Sequence, residues 1–193
     1  IPNMGPDGLN EFVKHFYPQL IKEAIIIDDR GNGGGNVSPH IIERLRREPV
    51  QVVVARNGAP SFEPVEQIVG PKIALIDEYS ASDGDIFAYR FRKHKLGPVI
   101  GKRSWGGVVG IRGSLPIVDK GYLNRPEFSR YNVEGTQWEI EGYGVDPDIP
   151  VENDPYESYM GQDAQLDKAI ERMLGMIKDK RFAEPPPPPY PVK

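Results

Sequence analysis

A chain of 193 residues with 38% apolar and 27% charged side chains is large enough for one full-sized domain, and its net charge of −4 comes from interspersed acids and bases. Folding at this length removes about 70% of the unfolded surface from water, so a core forms without disulfide or metal staples. The absence of cysteine excludes a disulfide framework, thiol catalysis and cysteine-ligated metal centres; the charge balance argues against nucleic acid as a partner, and the longest apolar runs, residues 24–27 and 52–55, are too short to engage a membrane by spanning it. The opening Ile1-Pro2-Asn3-Met4 has no initiator Met and reads like the end of a strand, so the chain is expected to continue a longer polypeptide.

In chain order, Leu9, Phe12, Val13, Phe16, Leu20 and Ile21 fall on one face of a helix opened near Asp7. Residues 24–28 form a short β-branched run suited to a strand covered on both faces. After a turn at 29–36, Ser38 is placed to cap a helix carrying Ile41, Ile42 and Leu45, and residues 51–55 repeat the buried-strand pattern. Residues 57–70 read as loop and 72–77 as a third buried strand. A helix follows at once, with Ser82 as N-cap, Asp83 and Asp85 in its first turn, and Ile86, Phe87, Ala88 and Phe91 inward. Residues 99–118 alternate glycine turns with short β segments, 137–141 reads as the last strand, and the residues between them as irregular. Residues 163–177 form a closing helix with Leu166, Ile170, Met173, Leu174 and Ile177 on one side, and 185–191 is an extended proline-rich tail that serves as a spacer or a partner-binding segment.

Ser82 stands where a buried strand gives way to a helix, beside helical N–H groups without intrahelical acceptors. From that position alone a simple helix cap is the expected role, with a nucleophile as the alternative. Residues 29–36 add three successive glycines after another strand, on what is expected to be the same sheet edge. This loop lacks the Gly-Lys-Ser/Thr ending of a P-loop and has Asn36 where a dinucleotide loop has its third glycine, which leaves a plain tight turn or close approach to a substrate, and the entropy cost of three successive glycines is explained by the latter.

Four stretches in order then resemble the C-terminal half of the tricorn-type, tail-specific S41 serine peptidases: Ile27-Asp28-Asp29-Arg30-Gly31-Asn32-Gly33-Gly34-Gly35, Tyr79-Ser80-Ala81-Ser82-Asp83-Gly84-Asp85, Gly101-Lys102-Arg103-Ser104-Trp105-Gly106-Gly107 and Ile140-Glu141-Gly142-Tyr143-Gly144-Val145-Asp146-Pro147-Asp148. The resemblance covers nearly the whole chain. It implies an α/β fold with a crotonase-like or ClpP-like core of stacked βα units and covering helices, with residues 1–180 as the nucleophile-bearing half of the catalytic domain and 181–193 as the Pro-rich tail. It matches the nucleophile to Ser82, the main-chain oxyanion donors to Asp83 and Gly35, with Gly34 as the near alternative, and the orienting glutamate of a Ser-His-Ser-Glu tetrad to Glu141.

Two departures narrow the branch. The lysine base of the Ser-Lys relatives is absent from its glycine-flanked place, and Lys102 lies earlier in that loop as a solvated side chain. In the tricorn branch the histidine and auxiliary serine precede a PDZ domain, a segment this sequence does not contain; His15, His40 and His94 fall on helix surfaces or ends. The resemblance therefore implies a serine endopeptidase that cleaves peptides or unfolded polypeptides through an acyl-enzyme, without metal or cofactor. Its partners are an upstream PDZ-containing part of the same protein and further copies in a homo-oligomer, in the cytoplasm or, if a signal peptide lies upstream, the periplasm. The 193 residues alone are expected to be inactive. The rival reading is a non-catalytic or acyl-CoA-binding module on the same scaffold.

Overall fold

The structure, a computed structural model, describes residues 1–179, 184–189 and 192. Its centre is a four-stranded sheet in the order β1-β4-β5-β8, parallel throughout, formed by β1 (Ile25–Asp28), β4 (Lys72–Ile76), β5 (Val99–Gly101) and β8 (Ile149–Pro150). Parallel strands joined by crossover helices are covered on both faces, and β4 shows the result: Ile73, Ala74, Leu75 and Ile76 are all buried. The period of two sends Ala74 and Ile76 into one cluster with Phe12 and Phe16 of α1 (Pro6–Phe16), Ile41 and Leu45 of α2 (Ser38–Leu45), and Phe87 and Phe91 of α3 (Asp83–Lys93). Ile73 and Leu75 point the other way, onto Ala169 and Met173 of α5 (Ala164–Asp179). The domain is thus an α/β three-layer arrangement.

Several expected elements differ. Residues 51–55 do not continue the parallel sheet. β2 (Gln51–Val53) pairs antiparallel with β3 (Ser61–Glu63), inside the stretch read as loop, and Val53 and Val54 are exposed; the apolar run gave no information about which sheet would take it. Within the 99–118 stretch of expected short β segments lies β6 (Gly110–Pro116), and it pairs in a long ribbon with β7 (Tyr122–Phe128), which occupies the stretch expected to be irregular. The strand expected at 137–141 is absent. Trp138 makes one isolated bridge to Tyr131, Asn132 closes the loop on the amides of Thr136 and Gln137, and Ile140 takes a φ of 52°, which no strand tolerates. Ile21 is exposed because α1 gives way after Phe16 to a 3₁₀ turn, Tyr17–Gln19, and on α5 Ile170 and Leu174 face outward while Ala169 packs.

Asp163 caps α5, accepting from the Leu166 N–H at 3.0 Å. A short helix, α4 (Pro155–Tyr159), precedes it. Of the tail expected at 181–193, residues 184–189 are exposed and carry neither helix nor strand, whereas residues 181–183, 190, 191 and 193 lie outside the described residues.

Candidate active site

The carboxyl ends of β1 and β4 open into two loops that are hydrogen-bonded to each other. Ser80 donates its hydroxyl to the carbonyl of Asp29 at 2.9 Å, Ala81 its N–H to Asn32 O at 2.8 Å, and Gly31 its N–H to the Asp77 carboxylate at 2.9 Å. A third loop joins them, since Trp105 N–H donates to Ser80 O at 3.0 Å and Gly106 N–H to Asp85 Oδ1 at 2.8 Å. The glycine cluster and Ser82 therefore share one sheet edge, as expected from the sequence.

Ser82 occupies the N-cap position of α3, yet its hydroxyl makes no capping bond, and its backbone stands at φ 54° and ψ −114°. Such a conformation costs about 1–3 kcal/mol for a residue with a Cβ and persists only where its surroundings enforce it. Gly34 is part of that enforcement. At φ 104° it lies so close that a Cβ added there would sit 2.5 Å from the Ser82 Cβ and 3.0 Å from Asp83 N.

The main-chain donors differ in their commitments. Gly34 N–H is taken by the Asn32 side chain at 3.0 Å. Among the described residues, neither Gly35 N–H nor Asp83 N–H has a hydrogen-bond acceptor. Both residues, with Ser82, line a cavity of about 600 Å³ completed by Pro39, Ile86, Val108 and Val109, among others.

The Asp83 side chain is occupied elsewhere: it accepts the Ser38 hydroxyl at 2.6 Å and the Ser38 N–H at 2.8 Å. Ser38 is thus the first residue of α2 and a link to α3, not the cap expected from sequence. Two further carboxyls are buried beneath the loops. Burial pushes Asp29 well above the usual carboxylate range, against the Asn32 amide that donates to it at 2.7 Å. Burial also raises Asp85, opposed by its hydrogen bonds with Ser104 and the Gly106 amide.

Glu141 does not line the cavity. Its Oε2 accepts the N–H groups of Val108 at 2.6 Å and Val109 at 2.8 Å, so it holds the wall of the cavity that faces Ser82. The left-handed Ile140 turns the chain just before it, and Gly142 N–H donates to Gly106 O at 2.7 Å. Lys102 is an ion-paired side chain rather than a merely solvated one, 2.8 Å from both Glu152 and Glu78, which hold its ammonium above the ordinary lysine range. No histidine is among the residues lining the Ser82 cavity: His15 pairs with Glu11 on α1, His40 is exposed on α2 and His94 ends α3.

Sequence reasoning missed Arg90 and Arg130, both at the cavity. Arg90 had a readable signal, for residues 83, 86 and 90 recur at helical spacing and share one face. Arg130 follows a ribbon that sequence did not reveal.

Residues 1–151 match peptidase family S41. The chain belongs to this family. It is 44% identical over 179 residues to the tricorn protease homolog of Saccharolobus solfataricus, covering 92% of this chain and 16% of that protein. To the tricorn protease of Thermoplasma acidophilum it is 40% identical over 179 residues, 93% of this chain and 17% of that one. The crystal structure of the tricorn protease superposes with a TM-score of 0.86 at 40% identity, over 92% of this chain and 17% of that chain. This S41 chain therefore spans about a sixth of the length of these relatives. Its α/β core is that of an S41 peptidase, and among its described residues no helix is long and apolar enough to cross a membrane.

Proposed function

We propose that this chain is the nucleophile-bearing half of a serine endopeptidase domain, residues 1–180, followed by the tail 181–193, and that it cleaves peptides or unfolded polypeptides through an acyl-enzyme on Ser82. The observation that carries this reading is the strained Ser82, whose hydroxyl is withheld from capping while two unspent N–H groups line the same cavity. Ser82 Oγ attacks the scissile carbonyl carbon as its proton passes to a base, and the carbonyl oxygen becomes an oxyanion held by Gly35 N–H and Asp83 N–H. Collapse expels the amine, which takes that proton; water then adds to the ester and regenerates the hydroxyl. Gly35 is preferred to Gly34 because the Gly34 N–H is already committed to Asn32.

Glu141 is a positioning residue in this scheme, setting the 108–109 wall and, through it, the auxiliary serine and histidine of an upstream segment. That segment, with its PDZ part, is the partner we assign, in a homo-oligomer located in the cytoplasm. The support for an external base is the cavity itself, whose lining, among the described residues, includes neither histidine nor lysine.

The test uses the protein in which this chain is joined to that upstream segment. A fluorophosphonate is expected to label Ser82, and Ser82→Ala to lower kcat by about 10⁴-fold or more. Its thermal stability should change little, because no capping bond is lost. Residues 1–193 alone should show no turnover. Retained hydrolysis by Ser82→Ala overturns the assignment, and absence of labelling with normal folding points to a non-catalytic or acyl-CoA-binding module.

A further inference from the structure

The Ser82 cavity has a wall that the proposed chemistry does not use. Arg90, from α3, and Arg130, just beyond β7, both line it. Arg90 donates through Nη1 to the Ser38 hydroxyl at 2.7 Å, and Arg130 through Nη1 to the Val108 carbonyl at 2.6 Å. Both acceptors are neutral. Among the described residues neither guanidinium forms an ion pair with a carboxylate, in contrast with Arg30, Arg47, Arg92 and Arg103 of the same chain.

Among the described residues, the one acidic residue lining the cavity is Asp83, buried, with each carboxylate oxygen accepting a hydrogen bond from Ser38. Two guanidinium groups against one committed carboxylate leave the wall positive. They also act on one another. Burial lowers the Arg90 pKa, and Arg130 pushes it the same way while Asp83 opposes both. Guanidinium stays charged under such pressure, so the repulsion is carried as a cost that an incoming anion relieves. Besides the polar Asn36 and Ser82, the lining includes the apolar Pro39, Ile86, Val109, Ile111 and Phe128, with the Arg130 guanidinium 5.3 Å from the Phe128 ring centroid. A phosphate would find little use for those apolar surfaces, whereas a carboxylate on a short aliphatic stem meets both surfaces.

We propose that Arg90 and Arg130 make the cleft beside Ser82 selective for peptides that bring a carboxylate into it. The inference rests on the reading of this cavity as the substrate site, and it names the substrate class. The carboxylate has two sources, an acidic side chain near the scissile bond or the free C-terminus of the peptide.

Binding to Ser82→Ala protein joined to its upstream segment separates specificity from catalysis. Three otherwise identical N-acetylated hexapeptides are titrated: one with an internal Glu and an amidated C-terminus, one with Gln and an amidated C-terminus, and one with Gln and a free C-terminus. At least one carboxylate-bearing peptide should bind about tenfold or more tightly than the Gln amide, because a charged hydrogen-bonded pair is at stake, and the tighter of the two identifies the source. Raising the salt from 0.05 to 0.5 M should shrink the difference. Arg130→Gln and Arg90→Gln should each reduce it, with Arg130→Lys restoring part of it. Should a substituted protein fail to fold, the peptide comparison and its salt dependence on the Ser82→Ala background still decide the matter. Equal affinity for the three peptides, or tighter binding of a Lys-containing peptide, overturns the inference while leaving Ser82 chemistry untouched. A carboxylate preference in a protein whose unsubstituted form never hydrolyses peptides supports the inference and overturns the peptidase reading.

Discussion

Two polar clusters cover the carboxyl ends of the same parallel strands. In the first, Arg30 bridges Asp28 at 2.6 Å and Asp163 at 2.7 Å, and Lys102 bridges Glu78 and Glu152, so each cation has two acidic partners. In the second, around Ser82, Arg90 and Arg130 touch neutral acceptors, Gly35 and Asp83 keep unspent N–H groups, and a serine is held at positive φ. The first cluster ties α5 and the 152–165 stretch to the sheet. The second leaves donors free for a ligand, and its strain is sustained by the loops zipped beneath it through Ser80, Asn32 and Asp85. Neighbouring positions on one sheet edge thus serve attachment in one place and chemistry in the other, and what separates them is whether their donors are already satisfied.

Substitutions that disturb the second cluster should strike activity, and those in the first should strike stability alone. After Ser82→Ala itself, the largest effect is expected from Gly34→Ala, whose Cβ would collide with Ser82 and the Asp83 amide; kcat should fall by about 10²-fold or more, as when an oxyanion donor is lost. Steady-state kinetics showing a normal kcat would mean that Gly34 does not set the Ser82 geometry. Glu141→Gln replaces charge-assisted bonds to Val108 and Val109 by neutral ones, so kcat should fall by about tenfold, with Glu141→Ala worse; equal loss in the two variants would argue that charge, not loop anchoring, is what matters.

On the first cluster, Asp163→Asn keeps a capping side chain but loses the ion pair, and should cost about 1 kcal/mol in urea unfolding at pH 7 with kcat unchanged. Arg30 holds the Asp163 carboxyl below its ordinary range, so its contribution is fully present above the unfolded pKa of about 3.9 and disappears as pH falls through the lower folded value. The gap between Asp163→Asn and the parent protein should therefore narrow in acid; a constant gap from pH 7 to pH 2 would assign the effect to something other than ionisation. The smallest effect belongs to Lys102→Met, which should leave kcat within about twofold of the parent, since the ion-paired ammonium lies outside the Ser82 cavity. A collapse of activity in that variant would erase the distinction between the clusters.

Much of this was readable in the chain. The runs 24–28 and 72–77 declared parallel strands because strands buried on both faces have no polar alternation, and the helices around Phe12, Ile41 and Phe87 declared themselves by period. Ser82 and the triple glycine stood out because glycine clusters and strand-to-helix serines sit where backbone must approach a ligand. Run composition could not reveal that 51–53 joins a separate ribbon, since a short apolar segment suits any sheet with room for it. Nor could it reveal the β6–β7 pairing, whose seven residues of β7 are all exposed and carry no burial signal.

The sequence by itself determined the core strands at 24–28 and 72–77, the helices around Phe12, Ile41 and Phe87, and the candidate nucleophile with its glycine loop, because hydrophobic period and glycine are local properties of the chain. Tertiary structure alone decided that Ser82 is strained and does not cap, that Gly35 rather than Gly34 has an unspent N–H, that Glu141 reaches the cavity through two backbone amides, and that two arginines 40 positions apart, Arg90 and Arg130, converge on it. Those properties depend on which groups meet across the fold and on which donors are already taken, and neither quantity is written in any local stretch of residues.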